Sequence, residues 1–198
     1  MGRPPVEPAY LDALVERVGE ARAIYLTGSA ALGAYVPGRS DLDVLVVTDP
    51  PVDAAGIAAR CSHDALPCPA RKLELVVYTP EQVAAPRRGQ PWELNLNTGE
   101  GEQHAGTNPA AEPWFWFVLD LALAREHAVA LHGPPAADLI GPAPRDVVLD
   151  ALADAVAWYA RNEPGEATVM AAARAWLYVE EGRFASKAQA LAFVCRSR

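Results

Sequence analysis

Apolar residues recur every three or four positions near the start of the chain, and short apolar runs follow. Residues 10–20 show this helical spacing, and Gly19 marks the end of the predicted helix. Residues 24–26 and 41–47 are short, largely apolar runs separated by Gly-Ser and Pro-Gly turn signals. The pattern predicts a packing helix followed by two strands of one sheet.

Further short elements are predicted up to about residue 109. They are a crossover helix at 52–61, a strand at 71–78, a loop at 80–91, a strand at 92–97 and a flexible Gly-containing connection at 98–109. A connection of this composition is typical of a boundary between domains. We therefore expect a first domain at 1–108 and a second at 109–198.

The second half of the chain is helical in pattern. The predicted helices are residues 114–129, 144–160, 165–181 and 186–195. Four helices with short links form a small bundle. The expected fold class is α+β, with an N-terminal mixed sheet and helices followed by a C-terminal all-α bundle.

Composition narrows the range of functions. The 198 residues are 51% hydrophobic and 21% charged, with a formal charge of −8. This charge argues against a nucleic-acid partner and suits a cationic one. The sequence has no apolar run that could span a bilayer and no signal-peptide pattern, so we expect no membrane association and a cytoplasmic location. The three cysteines show no metal-binding spacing, and the sequence does not define an oligomeric state.

The candidate functional residues are concentrated where the first two strands meet. Gly28 and Ser29 open a short helix after the first strand, and Asp41 and Asp43 stand two apart at the start of the second. Side chains at positions i and i+2 of a strand share a face, about 6–7 Å apart at the Cα level, so one divalent cation can bridge two such acids. Magnesium suits paired carboxylates and substrate phosphates. A glycine and a helix N-terminus suit a phosphate.

The spacing Gly-Ser-x11-Asp-x-Asp resembles the signature of the DNA-polymerase-β-type nucleotidyltransferase superfamily. The longer segment 26–43, from Leu-Thr-Gly-Ser to Ser-Asp-Leu-Asp, is similar to the bacterial aminoglycoside adenylyltransferases that modify streptomycin and spectinomycin. A Leu-His-Gly-Pro link at 131–134 also resembles this family. The resemblance implies ATP as co-substrate, Mg²⁺ on Asp41 and Asp43, and nucleotide contacts from Gly28, Ser29 and Ser40.

Glu74 is the single acid within the apolar strand at 71–78. Taken alone, it could be a surface residue of a half-exposed strand. Beside an Asp-x-Asp strand, a carboxylate can accept the proton of an attacking hydroxyl or complete the metal site. The family resemblance implies the first role, so we predict Glu74 as the catalytic base.

Two cations of the helical half also match the family. Arg174 and Lys187 resemble the Arg-x-Trp and Ser/Pro-Lys positions that hold the nucleotide phosphates in the adenylyltransferases. As isolated residues, such cations are more often ordinary surface charges. We predict that both bind phosphate from the helical side of the site.

This sequence departs most from the family pattern at the positions that bind the acceptor. Gly99 lies near the place of the aromatic residue that stacks on streptomycin, and Pro164, flanked by Glu163 and Glu166, lies near the place of an acid. The family also has a further helical stretch after the lysine-bearing segment, whereas this sequence ends at Arg198. A small cationic acceptor, an aminoglycoside above all, is the first expectation. A hydroxyl of a partner protein, as in antitoxin-like nucleotidyltransferases, and a non-catalytic nucleotide-binding module are the alternatives.

Overall fold

A computed structural model describes residues 6–197 of the protein. The strands are β1 (Ala23–Leu26), β2 (Leu42–Val47), β3 (Lys72–Tyr78), β4 (Leu94–Gly99), β5 (Glu102–Gly106) and β6 (Val129–His132). The helices are α1 (Pro8–Val18), α2 (Gly28–Ala31), α3 (Ala54–Arg60), α4 (Pro80–Ala84), α5 (Trp114–His127), α6 (Ala136–Leu139), α7 (Arg145–Asn162), α8 (Glu166–Glu181) and α9 (Lys187–Arg196). Within residues 6–197, no helix is both long and apolar enough to cross a membrane.

The strands form one mixed sheet in the order β5-β4-β3-β2-β1-β6. The neighbours β2 and β3 are parallel, and the other adjacent pairs are antiparallel. A parallel pair requires a crossover connection, which α3 provides between β2 and β3. The two strands predicted to carry the acids therefore lie side by side and run in the same direction.

Successive side chains of the strands pack on opposite faces of the sheet. Leu42, Val44 and Val46 belong to the larger core, which also includes apolar residues of α1 and α3. Leu45 and Val47 belong to the opposite core, together with Phe117 and other residues of α5. Since Asp43 alternates with the first set, its side chain lies on the face that α5 covers.

The remaining helices form a stack at the C-terminal end. Helix α5 packs against α7, α7 against α8, and α8 against α9. Phe115 and Val118 of α5 join Ala151 and Ala155 of α7 in one small core. The predicted α+β class, with a mixed sheet followed by C-terminal helices, is confirmed.

Two segments predicted as irregular are regular instead. The supposed flexible connection at 98–109 contains β5, which pairs with β4 through a two-residue turn at Glu100 and Gly101, where Gly101 has a φ of 72°. The supposed loop at 80–91 begins with α4, because Thr79 and Gln82 form a capping box. Both predictions were wrong at these places, because a Gly-containing stretch can form a tight turn between two paired strands and a proline is compatible with the first turn of a helix.

The sheet also receives a strand that the sequence did not predict. Strand β6 lies between α5 and α6 and pairs antiparallel with β1. Its side chains alternate between partly buried and exposed, as on a half-covered edge strand. Residues 109–198 thus contribute both β6 and the helix that covers the sheet, and the division into 1–108 and 109–198 stays a prediction.

Candidate active site

Two acids lie side by side on the face of the sheet that α5 covers. The parallel register pairs Asp43 of β2 with Glu74 of β3. Directly paired residues on neighbouring strands have side chains in contact range on the same face. The structure therefore brings the predicted metal ligand next to the predicted base, which the sequence separates by about thirty residues.

The carboxylate of Asp43 fits against the start of α2. The backbone N–H of Ser29 donates a hydrogen bond to it, and the N–H of Thr27 donates to the carbonyl oxygen of Asp43 over 2.9 Å. Gly28 has a φ of 57°, and a Cβ atom at this position would overlap the Asp43 carboxylate. In this structure the space beside Gly28 is thus filled by Asp43.

The charge of Asp43 is poorly compensated. Burial raises the pKa of this carboxyl to about 8, with further contributions from the negative charges of Glu74, Asp120 and Asp41, whereas the Ser29 hydrogen bond acts in the opposite direction. A raised pKa of this origin means that a positive charge placed among these acids would stabilise the ionised form. The electrostatics of the site therefore favour binding of a cation.

Asp41 precedes β2 and is bound to a neighbouring arginine. Arg71 donates to both carboxylate oxygens, over 2.8 and 2.6 Å. The preceding Ser40 accepts a hydrogen bond from the N–H of Val36 over 3.0 Å, which closes the turn before β2. Ser40 thus lies beside Asp41 at the rim of the site, with its hydroxyl oxygen already used in the loop.

Glu74 also has a cationic neighbour. Nζ of Lys72 lies 2.8 Å from Oε1 of Glu74 and 3.5 Å from Oε1 of Glu102. The same ammonium donates to Oδ1 of Asn97 over 3.3 Å. Lys72 therefore neutralises part of the acidic face that β3, β4 and β5 share.

A fourth acid, Asp120, was missed by the sequence analysis. It lies on α5, and its charge acts on both Asp43 and Tyr78, while Glu74 raises the pKa of Asp120 itself. Solvent reaches its side chain, yet desolvation by the surrounding protein is the main cause that raises this pKa to about 7, as expected on the wall of a cleft. An acid within the otherwise apolar run 114–124 was the available signal.

The two predicted phosphate-binding cations are placed differently. Arg174 is partly buried on α8, and its charge lowers the pKa of Asp120 and of Tyr159 on α7. Arg174 therefore acts on Asp120, the acid of α5, from the helical side. Lys187 is exposed at the first position of α9, directly after the N-cap Ser186. Helices α8 and α9 pack together, which places both cations on adjoining helices.

The donor chemistry of the site fits magnesium. In the described part of the chain, no three acidic, histidine or cysteine side chains converge closely enough to enclose a metal ion. Arg71 and Lys72 hold two of the acids, Asp41 and Glu74, in ion pairs. The carboxylate oxygens are nevertheless the hard ligands that Mg²⁺ prefers, and the mutual repulsion centred on Asp43 is the condition that a divalent cation relieves.

Comparison with known proteins defines the class to which this geometry corresponds. Residues 9–90 match the model of the nucleotidyltransferase domain family. The matched segment includes α2, β2 and β3, and thus Gly28, Ser29, Asp41, Asp43 and Glu74. The match confirms the resemblance to nucleotidyltransferases and the prediction that the protein is a transferase enzyme.

One solved structure with a similar fold is the crystal structure of spectinomycin adenyltransferase AAD(9) from Enterococcus faecialis with ATP and spectinomycin. The TM-score is 0.67 at 16% sequence identity, and the similarity covers 94% of this chain and 80% of that chain. The likeness extends over the sheet and the C-terminal helices and shows a shared fold. A search of curated proteins found no match.

Proposed function

We propose that the protein is a magnesium-dependent adenylyltransferase, which transfers AMP from ATP to a hydroxyl of a small cationic acceptor of the aminoglycoside kind. The observation that carries the proposal is the pairing of Asp43 with Glu74 beside the start of α2. A nucleotidyl transfer needs a cation site on the triphosphate next to a base for the attacking hydroxyl. In this pair Asp43 supplies the cation site and Glu74 the base, and the register of β2 and β3 places the two residues side by side.

In this proposal Asp41 and Asp43 hold the metal. When bound, Mg²⁺ neutralises charge on the triphosphate and on the leaving pyrophosphate. For Asp41 this requires release from Arg71, an exchange of one cationic partner for another. Gly28 and Ser29 lie beside Asp43, Ser40 directly precedes Asp41, and we assign all three to the nucleotide. Arg174 and Lys187 bind its phosphates from the helical side.

Glu74 is assigned the proton transfer. Its carboxylate accepts the proton of the acceptor hydroxyl as the oxygen forms a bond to the α-phosphorus of ATP. The bond between the α-phosphorus and the bridging oxygen to the β-phosphorus breaks, and pyrophosphate leaves with the electron pair. The products are the adenylylated acceptor and pyrophosphate, so no further reactant is needed.

The nature of the acceptor is supported by charge. The formal charge of the protein is −8, and Asp43, Glu74 and Asp120 line the site. Aminoglycosides are polycations, and the structural neighbour was crystallised with spectinomycin. An acidic cleft raises the local concentration of a cationic substrate.

The test is pyrophosphate release by purified protein with ATP, Mg²⁺ and a panel containing spectinomycin and streptomycin. We expect release with at least one drug, and a loss of at least about a hundredfold in Glu74→Gln, which keeps the shape but not the base. Glu81→Gln, an exposed acid on α4, is the matched control and should behave as wild type.

Two other results would each indicate a different function. An added mass of one AMP on a co-purified protein, without turnover of any drug, would indicate a partner protein as the acceptor. ATP binding that is unaffected by Mg²⁺, with no pyrophosphate released, would indicate a non-catalytic nucleotide-binding module and contradict the assignment of an adenylyltransferase.

A further inference from the structure

Asp120 is a carboxylate beyond those that the proposed reaction uses. Asp41 and Asp43 are assigned to the metal and Glu74 to the proton, which accounts for the acids at the start of β2 and on β3. Asp120 comes from α5, on the opposite wall, and the Glu74 charge acts on it directly. An acid placed here without a function would only add repulsion.

Packing fixes where Asp120 lies. On either side of it, Phe117 and Leu121 are buried in the core between α5 and the sheet. Helix α5 also contacts α2, the short helix that begins at Gly28. Because neighbouring residues on the helix are held on both sides, Asp120 cannot turn away from the cleft without unpacking α5.

Asp120 remains open to a ligand. None of the ion pairs among residues 6–197 includes it. Arg174 acts on it from a distance, and the net effect of its surroundings still disfavours the charged form. Solvent reaches the side chain, so a ligand can reach it too. Its position and charge suit a positively charged group between Asp120 and Glu74.

We propose that Asp120 binds a cationic nitrogen of the acceptor, an ammonium or guanidinium group, and so orients the acceptor with its hydroxyl toward Glu74. This inference rests on the proposed adenylyl transfer and deepens it by naming a specificity residue. It also places acceptor recognition on α5, whereas the acceptor-binding positions of the family fall near Gly99 and Pro164, where this sequence departs from the family pattern. The acceptor hydroxyl and its charged nitrogen are then held from opposite walls of the cleft.

The experiment compares Asp120→Asn with wild type in steady-state turnover of spectinomycin and streptomycin, and in calorimetric titration of each drug with a non-hydrolysable ATP analogue and Mg²⁺ present. Binding of Mn²⁺ is measured separately, without nucleotide or drug. Asp150→Asn is the matched control, since Asp150 is an exposed acid of α7 that pairs with Arg88.

We expect Asp120→Asn to raise the KM and Kd for the cationic drug by about tenfold to a hundredfold, the usual effect of losing one charge-assisted contact. The KM for ATP and the affinity for Mn²⁺ should change by less than about threefold, because other residues hold these ligands. Asp150→Asn should match wild type in every measurement.

Three results would overturn the assignment of Asp120. A drug KM and Kd equal to wild type would show that Asp120 does not contact the acceptor. A large loss of Mn²⁺ affinity with unchanged drug affinity would make it a metal ligand instead. Absence of drug binding to wild type would remove the acceptor class and this inference together. If drug binding depends on Asp120 but no pyrophosphate is released, the result supports the inference and contradicts the proposed transfer.

Discussion

Asp43 illustrates how the environment of one residue sets its chemistry. Its backbone is fixed by the β2–β3 ladder, its carboxylate by the Ser29 N–H, and its charge is opposed by Glu74 and Asp120. The single compensating hydrogen bond does not offset burial and repulsion, since the pKa is raised. The residue is therefore a source of instability in the metal-free protein and a strong attraction for a cation.

Asp43→Asn should stabilise the metal-free protein at alkaline pH. The folded pKa of Asp43, about 8, exceeds the ordinary value of 3.8, so the folded chain binds more protons than the unfolded chain between these values. The stability that protonated Asp43 contributes is fully present below about pH 4 and is lost as the pH rises through about 8. Denaturant unfolding in chelator should show a gain of roughly 1–3 kcal/mol at pH 8.5 and almost none at pH 4.

Asp41→Asn is the control for this experiment. It removes a charge from the same end of the strand, but Arg71 compensates that charge in an ion pair. Its gain at pH 8.5 should be much smaller than that of Asp43→Asn, because Asp41 makes only a minor contribution to the raised pKa of Asp43. An equal gain from both variants, or a gain from Asp43→Asn that does not depend on pH, would contradict the explanation by buried charge.

At the scale of elements, the site depends on the contact between α2 and β2. Helix α2 has only four residues, too few to be stable without tertiary packing. Its first residue, Gly28, combines a positive φ with a close approach to Asp43. The same glycine thus permits the turn after β1 and leaves room for the carboxylate.

Gly28→Ala should displace the Asp43 carboxylate and lower activity by at least about tenfold, since small displacements of catalytic groups have large effects on rate. Stability should fall by about 1–2 kcal/mol from the strained φ alone. The measurements are pyrophosphate release, Mn²⁺ affinity and thermal unfolding of the same preparations.

Gly33→Ala separates the two effects. Gly33 has a φ of 67° and open space where a Cβ atom would lie. It should show a similar loss of stability and nearly normal Mn²⁺ affinity. Equal losses of Mn²⁺ affinity in both variants would mean that backbone strain near α2, rather than contact with Asp43, controls the site.

For the whole molecule, the arrangement of helices over the sheet completes the site. Helix α5 packs on the sheet with one side and on α7 with another, and the charges of Glu74 on β3 and Arg174 on α8 both act on Asp120 of α5. If ATP lies in this cleft, its phosphates contact both halves of the protein. Binding and folding should then depend on different residues.

Arg174→Ala and Lys187→Ala should each weaken ATP binding by about tenfold to a hundredfold with little effect on folding. Leu45→Ala should do the reverse, because the cavity left beneath α5 costs about 2–5 kcal/mol. Calorimetric titration with ATP and Mg²⁺, and denaturant unfolding of the same samples, measure the two quantities.

Arg183→Ala is the control for a general loss of positive charge. Arg183 is exposed between α8 and α9 and pairs with Glu181. It should bind ATP as wild type does. If Lys187→Ala also binds ATP normally, Lys187 has no part in the cleft. If Arg183→Ala loses as much ATP affinity as Arg174→Ala, the loss reflects the overall charge of the protein and not a specific contact.

The sequence alone determined the features that depend on local order. Turn chemistry and short apolar runs predicted β1, β2 and β3, and helical periodicity predicted α1, α5, α7, α8 and α9. The fixed spacing from Gly28 to Asp43 indicated the class of chemistry, since a strand, a turn and a strand start impose that spacing wherever they occur. These features require only neighbours along the chain.

The tertiary structure decided what depends on neighbours in space. Strand β6 exists because β1 offers it an edge, and Asp120 belongs to the acidic group because α5 lies across β2 and β3. The pairing of Asp43 with Glu74 follows from a register that α3 and the two strands set together. Desolvation and repulsion act through space, so the sequence could name Asp41, Asp43 and Glu74, but only the fold could add Asp120 and show which charge lies uncompensated among the others.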